Sequence, residues 1–142
     1  MQLFIGGACA GKREAVKARF PSAVWWRLSP GQRLHEATHI MQPSVPLVLH
    51  GVFEWLAAVQ SLDISSDVLR AQWRGDLESL ESAAQTHGVT LVIIMNELGR
   101  GIVPIERDQR RLRDLSGWFS QDTAAQSKQV WHVRHGLVQA LK

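Results

Sequence analysis

The sequence lacks the features that mark disulfide-rich, membrane-spanning or secreted proteins. Its 142 residues include one cysteine, Cys9, so the chain can form no internal disulfide, which favours a reducing compartment. It has no tyrosine, and none of its apolar runs approaches the ~20 residues that a membrane span needs. The apolar run at residues 1–5 ends at two glycines without a basic segment before it, which argues against a secretory signal peptide. We therefore expect a cytoplasmic protein with no membrane partner.

The length and charge are those of an ordinary small domain. The chain is 45% hydrophobic and 20% charged, with a formal net charge of +3, and it fits one domain over residues 1–142. Its clearest basic cluster, Arg107, Arg110 and Arg111, would share one face of a helix. Such a face can contact phosphates but is more often only solvated, so we expect no nucleic-acid partner.

Short apolar runs alternate with longer amphipathic stretches along the chain. Strands are predicted over residues 3–5, 23–26, 45–49, 89–95 and 130–133, and helices over 11–20, 52–60, 65–86 and 106–127. Several of these strands lack polar alternation, as expected when both faces of a parallel sheet are covered. Ser65 or Ser66 would begin the third helix and Gly88 would end it. The alternation predicts an α/β fold with a mainly parallel sheet and helices on its faces.

The first predicted strand runs directly into a glycine-rich loop and a helix. Residues 6–12 satisfy the phosphate-loop (P-loop) pattern G-x-x-x-x-G-K in the strand–loop–helix context that the pattern requires. Backbone N–H groups in such a loop curl around an oxyanion, the helix N-terminus adds partial positive charge, and Lys12 can reach the outer phosphates. We expect the phosphates of ATP or GTP to bind at Gly6, Gly7, Ala8, Cys9, Ala10, Gly11, Lys12 and Arg13.

The loop departs from the usual pattern at its eighth position. Arg13 stands where a Ser or Thr hydroxyl ordinarily ligates Mg²⁺, and a guanidinium cannot ligate a cation. The third predicted strand ends in His50-Gly51 rather than in an acidic residue, and Glu54 is the nearest acid. Glu97 is better placed, because it follows the fourth predicted strand at its carboxyl end. The sequence therefore predicts an anion site that is poorly equipped for Mg²⁺.

The stretch from residue 96 onward carries the most specific pattern. It reads N-E-L-G-R-G-I-V-P at 96–104, then R-L-R-D at 111–114, followed by Gly117 and Gln121. These residues resemble the adenosylcobinamide kinase/adenosylcobinamide-phosphate guanylyltransferase family, which carries N-E-V-G-x-G-I-V-P and then F-R-D-x-x-G-x-x-N-Q. The family's opening G-G-A-R-S-G-K-S also resembles residues 6–13. The resemblance covers the start and the end of the chain and is vague between them.

The resemblance implies a two-step enzyme of cobalamin biosynthesis or salvage. The family phosphorylates adenosylcobinamide from ATP or GTP and then transfers GMP to that phosphate through a guanylylated histidine. Lys12 and Glu97 are the catalytic candidates at the loop. His35 and His39 are the candidates for the histidine, since they lie close to a pair, Arg33-Leu34, that resembles the family's R-I pair. The resemblance also implies an α/β fold, a three-layer P-loop NTPase-like domain with a mainly parallel sheet, and a homotrimer with active sites between its subunits.

Two functional hypotheses stay open. One is a catalytically degenerate relative that binds a nucleotide or phosphate in a regulatory or assembly role. It is favoured by Arg13, by His50 and by the shifted positions of His35 and His39 relative to the family's histidine. Lys12 and the motif at 96–104 favour a retained ligand site, and with it a working kinase or transferase.

A competing pattern lies between the second and third predicted strands. Residues 35–39 spell H-E-x-x-H, which on an α-helix would place His35 and His39 around Zn²⁺ with Glu36 as general base. Pro30 and Pro43 leave room only for a short helix, and no third ligand is apparent in the sequence. We therefore predict no metal site here.

The chain's six tryptophans are candidates for stacking on a nucleotide base. Trp25 and Trp26 end a predicted strand near the expected nucleotide, although such residues are more often core or interface anchors. Trp55, Trp73 and Trp118 fall on predicted amphipathic helices, and we expect them in the core.

Overall fold

A computed structural model describes residues 1–99 and 101–142; Arg100, in the motif at 96–104, lies outside the described residues. The described residues form six strands in one sheet: β1 (Gln2–Gly6), β2 (Val24–Arg27), β3 (Leu47–His50), β4 (Leu91–Asn96), β5 (Gln129–Arg134) and β6 (Leu137–Ala140). The helices between them are α1 (Lys12–Arg19), a 3₁₀ helix (Leu34–Ile40), α2 (Val52–Ala57), α3 (Ser66–His87) and α4 (Arg107–Gln126).

The sheet has the order β2-β3-β4-β1-β5-β6, and its first five strands are parallel. Strand β1 is central, with Phe4 in register with Ile94 of β4 and with Trp131 of β5. The predicted mainly parallel α/β fold is confirmed. Strand β6 pairs antiparallel with β5 and was not predicted from the sequence.

Both faces of the sheet are covered, which explains why its strands lack polar alternation. Helix α1 covers one face, where Phe4 and Val16 are fully buried. The larger cluster contains buried side chains of α2, α3, α4 and the 3₁₀ helix. Trp55 and Trp73 pack in it with ring centroids 5.2 Å apart, as expected, while Trp118 is only partly buried against it.

The helix boundaries follow local signals in the sequence. The Ser65 hydroxyl accepts a hydrogen bond from the backbone N–H of Asp67 at 3.2 Å, which caps α3 as predicted. Gly88 ends α3 in the left-handed conformation, with φ of 64°. The unpredicted β5–β6 hairpin turns through His135 and Gly136, whose φ angles are both positive. A two-residue turn of this kind was the signal that could have revealed β6.

The helices α1 and α2 leave the carboxyl edge of the sheet on opposite faces. Helix α1 follows β1 on one face, and α2 follows β3 on the other. Such a divergence opens a crevice at the carboxyl ends of the strands, where α/β proteins bind ligands. Among the described residues, no helix is long and apolar enough to cross a membrane.

Candidate functional site

The glycine-rich loop lies at the carboxyl edge of the sheet, held by β4 on one side and by the β5–β6 hairpin on the other. The backbone N–H of Glu97 donates to the carbonyl of Gly6 at 2.9 Å, and the N–H of Gly136 donates to the carbonyl of Ala10 at 2.9 Å. Gly6 is required by this close approach, because a Cβ there would lie 2.2 Å from the carbonyl oxygen of Val133. The loop is therefore built into the sheet edge.

The backbone of the loop bends sharply before the first helix. Cys9 and Gly11 both adopt positive φ angles, 56° and 94°, so the chain curls before α1 begins at Lys12. Within the described part of the chain, no side chain caps the N-terminus of α1. The first N–H groups of a helix have no partner inside the helix, and they carry partial positive charge. This end of α1 is thus suited to an oxyanion.

The Lys12 ammonium lies inside the curl of the loop. Its Nζ donates to the carbonyl oxygens of Gly6 at 3.0 Å and Gly7 at 2.5 Å. The residue is 7% exposed, and burial lowers the pKa of its ammonium below the usual lysine value. The structure therefore holds the Lys12 ammonium against the carbonyl groups of the loop.

A cavity of about 360 Å³ opens between α1 and α2 beside this loop. It brings together residues that are far apart in sequence: Lys12 and Arg13 of α1, Arg27 at the end of β2, His50 at the end of β3 and Glu54 of α2. The Arg13 guanidinium lies 5.2 Å from the centre of the Trp25 ring. Trp25 thus contacts a residue of the cavity wall through a cation–π interaction.

The charged groups around His50 indicate the sign of the electrostatic potential in this cavity. Burial lowers the pKa of His50, and the positive charges of Arg13 and then Arg27 lower it further. The Glu54 carboxylate acts in the opposite direction but contributes less than either arginine. The charges around the imidazole therefore disfavour an added cation and favour an anion.

A second cavity, of about 320 Å³, lies on the other side of the loop. It is lined by loop residues together with Glu97, His132, Arg134 and His135. His132 Nε2 lies 3.3 Å from a carboxylate oxygen of Glu97. The sequence singled out Glu97 but not His132, whose signal was its place as the one polar residue of the predicted strand at 130–133.

The two candidate histidines lie on the 3₁₀ helix, which packs against α3. His35 Nδ1 is 3.3 Å from a carboxylate oxygen of Asp76, and His39 is exposed. Among the described lining residues, neither histidine belongs to either cavity. The structure therefore places neither histidine in the first cavity with Lys12 or in the second with Glu97, and Lys12 and Glu97 themselves line different cavities.

The H-E-x-x-H pattern takes a different local geometry from the one that a zinc site needs. A 3₁₀ helix has three residues per turn, so His35 and His39 do not share a face as they would on an α-helix. Across residues 1–99 and 101–142, no three or more His, Cys, Asp or Glu side chains are grouped to hold a metal ion.

The basic cluster on α4 is largely engaged with carbonyl groups of the chain itself. Arg111 Nη1 donates to the carbonyl of Leu62 at 2.6 Å and to that of Gln60 at 3.2 Å, and its Nη2 donates to the carbonyl of Ile64. Arg110 donates to the carbonyl of Ile105. These two arginines hold loops, which accounts for their presence without a phosphate ligand.

Comparison with known protein families shows the family of this chain. A family model described as cobinamide kinase / cobinamide phosphate guanyltransferase matches residues 16–141. The chain belongs to this family. The match begins within α1, so the loop at residues 6–13 is interpreted as a P-loop from its own sequence and geometry.

Two relatives are similar to part of the chain. The bifunctional adenosylcobalamin biosynthesis protein CobU of Escherichia coli (strain K12) is 39% identical over 62 residues, which cover 44% of this chain and 34% of the relative. The protein of the same name from Salmonella typhimurium (strain LT2) is 37% identical over 62 residues, with the same coverage. The matched segment spans about a third of the length of these relatives.

Proposed function

We propose that this protein is an adenosylcobinamide kinase/adenosylcobinamide-phosphate guanylyltransferase-like enzyme of cobalamin biosynthesis or salvage, which binds ATP or GTP at the loop. The observation that carries the proposal is the loop itself: an uncapped helix N-terminus, two residues with positive φ and a buried Lys12 stand next to a cavity of about 360 Å³. Membership of the cobinamide kinase / cobinamide phosphate guanyltransferase family supports the choice of reaction.

The proposed roles follow from the chemistry of each group. The N–H groups of residues 6–13 hold phosphate oxygens, and the Lys12 ammonium exchanges its loop carbonyls for the outer phosphates. Glu97, oriented by His132, accepts or positions a proton beside the loop. His35, held by Asp76 at one ring nitrogen, is a candidate for the guanylylated residue, and exposed His39 is the other.

A second candidate function is nucleotide or phosphate binding without catalysis, in a regulatory or assembly role. It is favoured by the absence of both histidines from the described lining of the two loop cavities, since GMP transfer needs the histidine and the nucleotide in contact. It is also favoured by Arg13, which stands in place of the hydroxyl that serves phosphoryl transfer.

Both functions require nucleotide binding, which calorimetric titration with ATP and GTP tests directly. Lys12→Ala should weaken binding by about 1.5–3 kcal/mol, the scale of a charge-assisted hydrogen bond. Lys17→Ala is the matched control, because Lys17 is an exposed cation on the same helix outside the described cavity lining. Equal affinity in Lys12→Ala and the unmodified protein would refute the site. If nucleotide does bind, a phosphorylation assay on adenosylcobinamide distinguishes the two functions: a phosphorylated product supports the enzyme, and its absence supports binding without catalysis.

We also propose that the protein assembles as a homotrimer with its sites between subunits. The support is the loop after β4, where Ile102 and Ile105 are 97% and 93% exposed. Apolar side chains this exposed are typical of surfaces that another chain covers. Light scattering at micromolar concentration tests the assembly, and a monomer would contradict it.

A further inference from the structure

The residues around the loop do not fit a magnesium ion. The hydroxyl and the strand-end acid that ordinarily support Mg²⁺ in a P-loop enzyme are replaced by Arg13 and by His50-Gly51. A guanidinium has only hydrogen-bond donors and a permanent positive charge, so it cannot ligate a cation and repels one. Among the described residues that line the cavity, the carboxylates are those of Glu14 and Glu54, and Glu54 Oε1 lies 3.9 Å from Arg27 Nη2.

We propose that Arg13, together with Arg27 and His50, forms an anion subsite beside the P-loop that receives the outer phosphate of the nucleotide without a metal ion. The ligand class is a metal-free nucleoside triphosphate. The inference rests on the proposed nucleotide binding and adds how its phosphate charge is neutralised. Arg13 supplies a fixed positive charge where related loops depend on a bound cation.

The position of Arg13 supports this role. It follows Lys12 directly at the start of α1, lines the same cavity and lies against the face of Trp25 at 5.2 Å. An aromatic face restrains the guanidinium plane and leaves its N–H edges available for hydrogen bonds. Arg13 and Arg27 approach the cavity from two elements, α1 and β2, so an oxyanion between them meets donors from two sides.

The charges that face the cavity support the same conclusion. The pKa of His50 is lowered first by burial and then by Arg13 and Arg27, while Glu54 opposes them with a smaller effect. The field at the end of β3 is therefore positive even with Glu54 in place. A phosphate group placed there is attracted, whereas a free divalent cation is repelled.

The test is a calorimetric titration of ATP and of GTP in excess EDTA and again in excess MgCl₂. The unmodified protein should bind at least as tightly in EDTA. Arg13→Gln keeps a long polar side chain but removes the charge, and it should weaken binding in EDTA by about 10- to 100-fold, the range of a charge-assisted hydrogen bond. Arg19→Gln is the matched control, because Arg19 lies on the same helix against Trp131, outside the described lining of the cavity. Its affinity should be unchanged.

The outcomes separate this inference from the proposed function. Binding that requires Mg²⁺ would overturn the role of Arg13 and leave nucleotide binding intact. Metal-free binding that is equal in Arg13→Gln and the unmodified protein would also overturn it, since the charge would then come from elsewhere. No binding under either condition would refute the proposed nucleotide site, and the inference with it.

Discussion

The guanidinium of Arg33 donates two hydrogen bonds to the carboxylate of Asp76, at 2.9 Å from Nε and 2.7 Å from Nη2. The pair joins the start of the 3₁₀ helix to the middle of α3, and the Asp76 side chain is 7% exposed. Burial acts to raise the pKa of Asp76, but the hydrogen bonds and charge of Arg33, with a smaller contribution from His35, outweigh it. The pKa of this carboxyl therefore lies below its usual value.

Asp76→Asn should lower the free energy of unfolding at pH 7 by about 1–3 kcal/mol, because it leaves Arg33 without its charged partner. A depressed folded-state pKa stabilises the fold above the unfolded value of about 4, and that contribution is lost as the pH falls through the folded-state pKa. Urea denaturation of both proteins from pH 7 down to pH 3 should therefore show the difference shrinking. Glu78→Gln, on the exposed side of α3, is the control. A difference that stays constant with pH would contradict the prediction.

Gly6→Ala should destabilise the protein by about 1–3 kcal/mol, the usual cost of forcing an extra atom into a packed site. The added Cβ would lie 2.2 Å from the Val133 carbonyl oxygen, so β1 and β5 must separate. Gly7→Ala is a sharp control, since a Cβ there meets nothing within 4 Å among the described residues. Thermal unfolding of both variants checks the prediction, and equal melting temperatures would show that the strand ends adjust freely.

Arg111→Lys should loosen the loop between α2 and α3 almost as much as Arg111→Ala. The Arg111 guanidinium donates hydrogen bonds to the carbonyls of Gln60, Leu62 and Ile64. A lysine ammonium, which is one compact group, cannot reach all three carbonyls at once. Amide hydrogen exchange should accelerate over residues 59–65 in both variants. Arg107→Ala, at the exposed first residue of α4, should leave exchange there unchanged. Full protection of the loop in Arg111→Lys would show that charge alone suffices.

His132→Leu and Glu97→Leu should be coupled in a double-mutant cycle of unfolding free energies. Their side chains lie 3.3 Å apart, so each variant removes the same interaction. We expect a coupling energy of about 0.5–1.5 kcal/mol, the net contribution of one hydrogen bond. His132→Leu combined with Glu78→Gln, on α3, serves as the additive control cycle. Additivity in the His132–Glu97 cycle would mean that the pair contributes nothing to the fold.

Local signals in the sequence were enough for most of the secondary structure. Strand β1, the loop and α1 follow one another along the chain, and Ser65 and Gly88 bound α3 by contacts within a few residues of themselves. Strand β6 was missed because its residues are mostly exposed and lack a clear alternating pattern. It forms because the turn at His135 and Gly136 folds it back onto β5.

The sequence by itself determined the fold class, the glycine-rich loop between β1 and α1 and the family resemblance, because each depends on neighbouring residues or on a regular period. Only the tertiary structure decided which side chains meet. It placed Arg13, Arg27 and His50 around one cavity and directed Arg111 to backbone carbonyls instead of solvent. It also paired His132 of β5 with Glu97, which follows β4 on the other side of β1. It also turned H-E-x-x-H into a 3₁₀ helix held by Asp76. The physical reason is that these contacts depend on the order of strands in the sheet and on the faces that the helices cover, which no local pattern specifies.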